Sequence, residues 1–167
     1  MSWGYLGRMI TIDRVPEDDE ELGKLRQELR ADLTARYPEQ GADPDSHLAD
    51  GIRFLLMRED AAAIGCCALQ ANEESGLGGL ELKRMYVVPT ARGTGAANLL
   101  LAAAEQLARG LGARRIYLET GDRQPESCRF YERNGFTEIP LYPPYVGSAR
   151  SVSYAKELTH ETDAAGD

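Results

Sequence analysis

Residues 80–112 constrain the fold more than any other stretch, because an alternating run, LELKRMYVV (80–88), leads into PTARGTGAANLLLAAAEQLARGLG (89–112). The first half has the two-residue period of a strand. It places Glu81, Lys83, Met85 and Val87 on one face and Leu82, Arg84, Tyr86 and Val88 on the other. In the second half Leu100, Ala103, Ala104, Leu107 and Leu111 recur at helical spacing, Glu105, Gln106 and Arg109 point to water, and Gly110 and Gly112 close the helix. Arg92, Gly93, Thr94, Gly95, Ala96 and Ala97 lie between. Small residues at a strand-to-helix junction let backbone N–H groups approach an anion, and the helix start adds about half a positive charge. A tight turn that binds nothing is the plainer alternative for an isolated Gly-x-Gly.

The flanking sequence supplies the rest of an α/β domain. Residues 9–15 alternate as a strand, Pro16 and five acids open a helix, and Leu22, Leu25, Leu29 and Leu33 give it one apolar stripe ending near Tyr37-Pro38. A polar loop (38–50) precedes a hairpin of strands at about 52–58 and 61–71, turning at Glu59-Asp60. After the long helix come a strand at 114–120, a short helix from about Pro125 stopped by Gly135, and strands near 136–140 and 151–158 separated by the loop 141–150. The expected fold is one α/β (α+β) domain over 1–158. It has a central mixed, mostly antiparallel sheet of about six to seven strands flanked by about four helices, with 159–167 a disordered acidic tail.

Charge narrows the function. The net charge is -8, but residues 83–133 carry 9 basic and 5 acidic side chains, so a cationic centre sits inside an acidic protein. The overall balance argues against coating nucleic acid, and the local one suggests an anionic ligand. Cys66, Cys67 and Cys128 offer no CxxC spacing, and as strand neighbours the first two face opposite ways. No His or Cys pair has metal-ligand spacing, and His47 and His160 stand near no nucleophile elbow, so no metal is expected. No apolar run approaches the roughly 20 residues of a membrane span, and the N-terminus lacks a signal-peptide core. A cytoplasmic protein with no membrane partner is the expectation.

Three phosphate-loop readings compete. A P-loop fails because no Lys-Ser or Lys-Thr follows the second glycine. A Rossmann reading has its Gly93-x-Gly95 and an acid at Glu119, but Asn98 occupies the third glycine position and Pro89-Thr90-Ala91-Arg92 intervenes; it is the runner-up. The third fits best: V-x-P-x-x-R-G-x-G-x-A followed by LLL resembles motif A of the GNAT (Gcn-five-related) N-acetyltransferase superfamily, with Arg92, Gly95 and Ala97 on its consensus positions. Gln124-x-x-x-Cys128-x-Phe130-Tyr131-Glu132-x-x-Gly135-Phe136 is similar to that family's second cofactor segment. Element order agrees with the family too, so the resemblance covers about residues 9–158, and it is nearest to small stand-alone bacterial members.

The resemblance implies an acetyl-CoA-dependent transfer to a primary amine of a small molecule, amino acid or peptide. The pantetheine arm would add as a strand beside Met85, Tyr86 and Val87, and the pyrophosphate would sit on the amides of residues 93–97 near Arg92. Gln124 stands where the family often has Asn, and the Val87 amide would face the developing oxyanion. Tyr131 matches the general-acid tyrosine; packing with Phe130 ahead of Gly135 is its other reading. Glu81 and Glu119 are the candidate bases, Glu81 preferred because alternation shares its face with Met85 and Val87, and a water path with no single base remains open. An ion pair with Arg84 or Arg115 is the other reading of Glu119. Acceptor specificity is expected from residues 22–50 and from Tyr142, Pro144 and Tyr145, and family precedent allows a homodimer. A catalytically silent acyl-CoA sensor is the second reading.

Overall fold

The computed structural model describes residues 2–5, 7–40 and 47–160. Eight strands and three α-helices are present among them: β1 (Ser2–Tyr5), β2 (Arg8–Val15), α1 (Glu20–Arg36), β3 (Arg53–Glu59), β4 (Ala62–Gln70), β5 (Leu80–Val87), α2 (Ala96–Gly110), β6 (Arg115–Gly121), α3 (Pro125–Arg133), β7 (Thr137–Ile139) and β8 (Ser151–Glu157). Strand order is β1-β2-β3-β4-β5-β6-β8-β7. Pairing is antiparallel at β1–β2, β2–β3, β3–β4, β6–β8 and β7–β8, and parallel at β5–β6. The α/β class is the expected one. The element counts differ: β1 adds a strand, and two stretches form single 3₁₀ turns, Glu73–Ser75 and Pro89–Ala91, instead of a fourth helix. None of the described helices is long and apolar enough to cross a membrane.

The chain divides into two compact units, each made of two segments. Residues 1–70 and 83–104 form one; residues 71–82 and 105–167 form the other. In the first unit, α1 starts where Asp19 accepts a hydrogen bond from the Leu22 amide (2.9 Å). Its Leu22, Leu25 and Leu29 pack with Phe54, Leu56, Cys66, Ala68 and Tyr86. The start of α2 covers the opposite face, since a Cβ added at Gly65 would meet Val87 Cγ2 at 3.4 Å and Leu100 Cδ2 at 3.5 Å. Cys66 and Cys67 do diverge: Cys66 belongs to the α1 core with its thiol 3.6 Å from the Arg84 carbonyl. Burial pushes the Cys66 thiol up to about 12 and that of Cys67 further still, so neither serves as a nucleophile near neutral pH. The β3–β4 hairpin turns on Asp60 (φ 48°) and Ala61 (φ 73°), the two left-handed positions of a two-residue turn.

In the second unit, β6 is the centre. One face of its neighbourhood carries the register pairs Glu81↔Tyr117, Tyr117↔Ala155 and Glu119↔Ser153; the other carries Ile116↔Lys156 and Leu118↔Tyr154. The expected buried face of α2 needs correction: Leu101 and Ala108 are buried while Ala103 and Leu107 are only half-buried, and Leu111 and Glu105 are reversed. Leu111 is exposed, because Gly112 (φ 82°) takes the left-handed position of a Schellman stop, with Gly112 N donating to Arg109 O and Ala113 N to Ala108 O, and the helix has ended before it. Glu105 is buried rather than solvated, because Lys156 Nζ reaches its carboxylate at 2.6 Å. Of the expected tail, Thr159 and His160 are held by Arg109 and by the Ala113 carbonyl; 161–167 lie outside the described residues.

Candidate active site

The glycine loop belongs to the first unit and is built as its sequence suggests. Gly93 (φ 75°) and Gly95 (φ 88°) adopt the left-handed backbone that β-carbon-bearing residues resist. Thr94 Oγ1 donates to Ala91 O (2.5 Å), and Gly95 O accepts the first α2 bond, from Leu99 N (3.2 Å). A Cβ at Gly93 or Gly95 would meet nothing within 4 Å, so the space beside these amides is open at the positive end of α2. Arg92 folds back, its Nε donating to Val87 O at 2.9 Å and its guanidinium carbon 5.6 Å from the centre of the Tyr86 ring. The Val87 carbonyl is thus engaged by the protein itself. The side chain of Tyr86 belongs to the α1 core, and its hydroxyl donates to Glu28 at 3.1 Å. Burial first, and then the Glu28 carboxylate, raise its phenol above the usual range, with Arg92 opposing. Met85 is half-buried, and so is Ala97, while Ala96 is buried where α2 begins.

Strand β5 pairs with β6 at Leu80↔Ile116, Glu81↔Tyr117 and Leu82↔Leu118, and then runs on to Val87. Arg84 sits at φ 55° within it. A left-handed residue inside a strand bends it and breaks the alternation of side chains. Parity counted from Glu81 therefore does not carry through to Met85 and Val87, and the ground for preferring Glu81 has to come from elsewhere.

It comes from the second unit. Glu81 is 1% exposed, and the Tyr142 hydroxyl donates to its Oε2 at 2.7 Å. The Tyr142 ring stands edge-on to Tyr117 (5.0 Å between centroids) and to Tyr145 (5.5 Å). Burial, then the charge of Glu81 and its hydrogen bond, hold the Tyr142 phenol far above its ordinary range, with Tyr145 and Glu119 adding to the effect. Glu119 is half-buried on the same face as Tyr117. Arg115, one of its expected partners, bonds Glu157 (2.5 Å) and the Leu77 carbonyl (2.8 Å). Ser75 Oγ and the Asn72 carbonyl lie 3.0 and 3.2 Å from the Tyr117 hydroxyl.

Tyr131 is on the other face. Its buried ring packs against Phe130 (5.3 Å), Phe136 (5.4 Å) and Tyr154 (6.4 Å), and Tyr154 pairs in register with Leu118. The Tyr131–Phe136 contact is the apolar closure of a Schellman stop: Phe136 N donates to Tyr131 O, Gly135 N to Glu132 O, and Gly135 has φ 86°. The hydroxyl of Tyr154 donates to Glu132 at 2.9 Å; burial first, and then Cys128 and Glu132, hold this phenol protonated beyond its usual range. Gln124 precedes α3 half-buried, with no capping hydrogen bond from its side chain. Within this unit, the structure brings Glu81 and Glu119 together on one face and sets Tyr131 on the opposite one. Sequence reasoning missed Tyr117 as a member of the first group, although RIYLET places it two residues from Glu119. It also missed Tyr154, which packs beside Tyr131 and donates to Glu132.

Comparison with known proteins gives the class. The acetyltransferase (GNAT) family model matches residues 22–136. An IAA acetyltransferase from Azospirillum brasilense is 33% identical over 156 residues, 89% of this chain and 98% of its own. Among solved structures, a Klebsiella pneumoniae protein classed as an acyl-CoA N-acyltransferase is 31% identical with a TM-score of 0.74, covering 90% of this chain and 98% of its own. A GNAT acetyltransferase from Elizabethkingia anophelis, solved with acetyl-CoA bound, has the same fold (TM-score 0.65, 18% identity, covering 89% of this chain and 98% of its own). The chain belongs to the GNAT family of acetyltransferases, enzymes that use an acyl-CoA. The residues present fit that group, with an open glycine loop at a helix start and a β5 backbone that continues past its ladder with β6.

Proposed function

We propose that the protein is an acetyl-CoA-dependent N-acetyltransferase that acts on a primary amine of a small molecule, amino acid or peptide. The observation that carries this reading is the glycine loop, open beside Gly93 and Gly95 at the start of α2, in a chain of this family. The amides of 93–97 and Arg92 hold the cofactor's pyrophosphate, the backbone of Met85, Tyr86 and Val87 aligns its pantetheine arm, and Gln124 contributes a side-chain amide. Acetyl-CoA supplies the acetyl group as a thioester. Glu81 or Glu119 takes the proton of the amine, which at neutral pH is mostly an ammonium ion, and Tyr131 gives a proton to the departing sulfur. One domain over 1–158 carries the reaction, and its free cysteines suit a reducing compartment, the cytoplasm.

Thermal shift tests the cofactor assignment. Acetyl-CoA at about 100 times its Kd stabilises by about 2.7 kcal/mol, equivalent to roughly 5–10 °C in a chain of this size. NAD is expected to give no shift. An NAD shift without a CoA shift would reinstate the dinucleotide reading. Thiol release across an amine panel then separates an enzyme from a silent acyl-CoA binder.

A further inference from the structure

The loop between β7 and β8 reaches into the carboxylate cluster and singles out one of its two glutamates as a hydrogen-bond partner. Glu81 and Tyr142 are 61 residues apart in sequence, yet both are almost fully buried and meet through a 2.7 Å hydrogen bond. A buried carboxylate needs donors to offset its lost hydration, and a hydroxyl that donates to one oxygen also fixes the plane of the group. Tyr142 is itself held on several sides: edge-on by Tyr117 and Tyr145, and along the chain by Asn72 Nδ2 donating to the next residue's carbonyl, Pro143 O, at 3.2 Å. Its phenol keeps its proton throughout the working range, so it stays a donor toward Glu81. Glu119, on the same face, is only half-buried.

We propose that Tyr142 is a positioning residue for Glu81, and that through it the 140–150 loop makes Glu81, rather than Glu119, the carboxylate that takes the amine proton. Tyr142 Oη donates to Oε2 and so sets the plane of the carboxylate that receives that proton. No bond to the phenol is made or broken. This inference rests on the N-acetyltransferase reading above.

The test is a double-mutant cycle read by thiol release from acetyl-CoA. The acceptor is whichever of spermidine, tyramine, lysine amide or glycylglycine supports the fastest wild-type turnover. Tyr142→Phe and Glu81→Gln are each expected to lower kcat about tenfold or more with the KM for acetyl-CoA unchanged. The double variant is expected to be no slower than Glu81→Gln alone, because the phenol acts only through that carboxylate. Glu119→Gln combined with Tyr142→Phe should show multiplied losses. If the losses of Tyr142→Phe and Glu81→Gln also multiply, Tyr142 acts independently and the inference is overturned while the enzyme assignment stands. An unchanged kcat in Glu81→Gln overturns it in the same way. No thiol release by wild type with any of the four amines removes the N-acetyltransferase reading and this inference together. Should Tyr142→Phe fail to fold, Asn72→Asp replaces it. That variant keeps the Oδ1 that accepts from Ser75 N and loses the Nδ2 donor to Pro143 O, and its kcat loss must likewise vanish in the Glu81→Gln background.

Discussion

Tyr131→Phe is expected to lower kcat by on the order of 10²-fold while leaving the KM for acetyl-CoA and the fold intact. The substitution deletes one hydroxyl and keeps the ring, so the contacts with Phe130, Phe136 and Tyr154 persist. Unfolding should move by about 1 kcal/mol at most. Tyr131→Ala is different, because it also opens the apolar closure of the α3 stop, and truncation of a buried aromatic costs roughly 3–5 kcal/mol. The catalytic loss has a pH signature. A departing thiolate needs a proton only where the thiol form is favoured, with a pKa of about 8.5. The deficit of Tyr131→Phe should therefore be full near neutral pH and narrow as the pH rises past that value. A variant with wild-type kcat and normal acetyl-CoA affinity would reduce Tyr131 to its packing role.

That dual role marks how far this sequence could be read. Local rules expose local structure: the Leu22-Leu25-Leu29 stripe, the glycine loop before α2 and the Tyr-Glu-x-x-Gly-Phe stop each lie within one short segment whose spacing carries the signal. The strand face of Glu81 looked equally local and was not. Arg84 takes a left-handed conformation with no glycine to announce it, so counting by twos fails across it. The environment of Glu81 depends on Tyr142, which a loop of Tyr and Pro residues delivers from far along the chain; the sequence marks Tyr142 and Tyr145 as aromatic and does not say which carboxylate they meet. Glu105 was misread for the same reason, since its partner Lys156 comes from β8. Strand β1 escaped because four residues beside a glycine turn carry too short a pattern, and it exists through its register with β2.

Gly79→Ala is expected to cost about 2–5 kcal/mol, a large part of the 5–15 kcal/mol that holds a typical domain together, and to lower Tm by roughly 5–20 °C. Two penalties combine. Gly79 has φ 80°, where a side chain costs about 1–2 kcal/mol. In addition, a Cβ there would lie 2.1 Å from Arg115 O and 2.8 Å from Arg115 C, both backbone atoms, so the clash cannot be relieved by a rotamer change. Arg115 cannot retreat easily, because its Nη1 holds Leu77 O, its Nε holds Glu157, and its neighbour Ile116 pairs with Leu80. Overpacking of this kind adds about 1–3 kcal/mol. Gly78→Ala is the internal control: it shares the left-handed backbone (φ 68°), yet its added Cβ would meet nothing within 4 Å, so about 1–2 kcal/mol is expected. Urea unfolding of the two variants isolates the clash from the backbone term. Equal losses would mean that β5 can shift away from Arg115 freely. A larger loss at Gly79 should be accompanied by reduced kcat, because the strand that must move carries Glu81 two residues on, in register with Tyr117 and bonded to Tyr142.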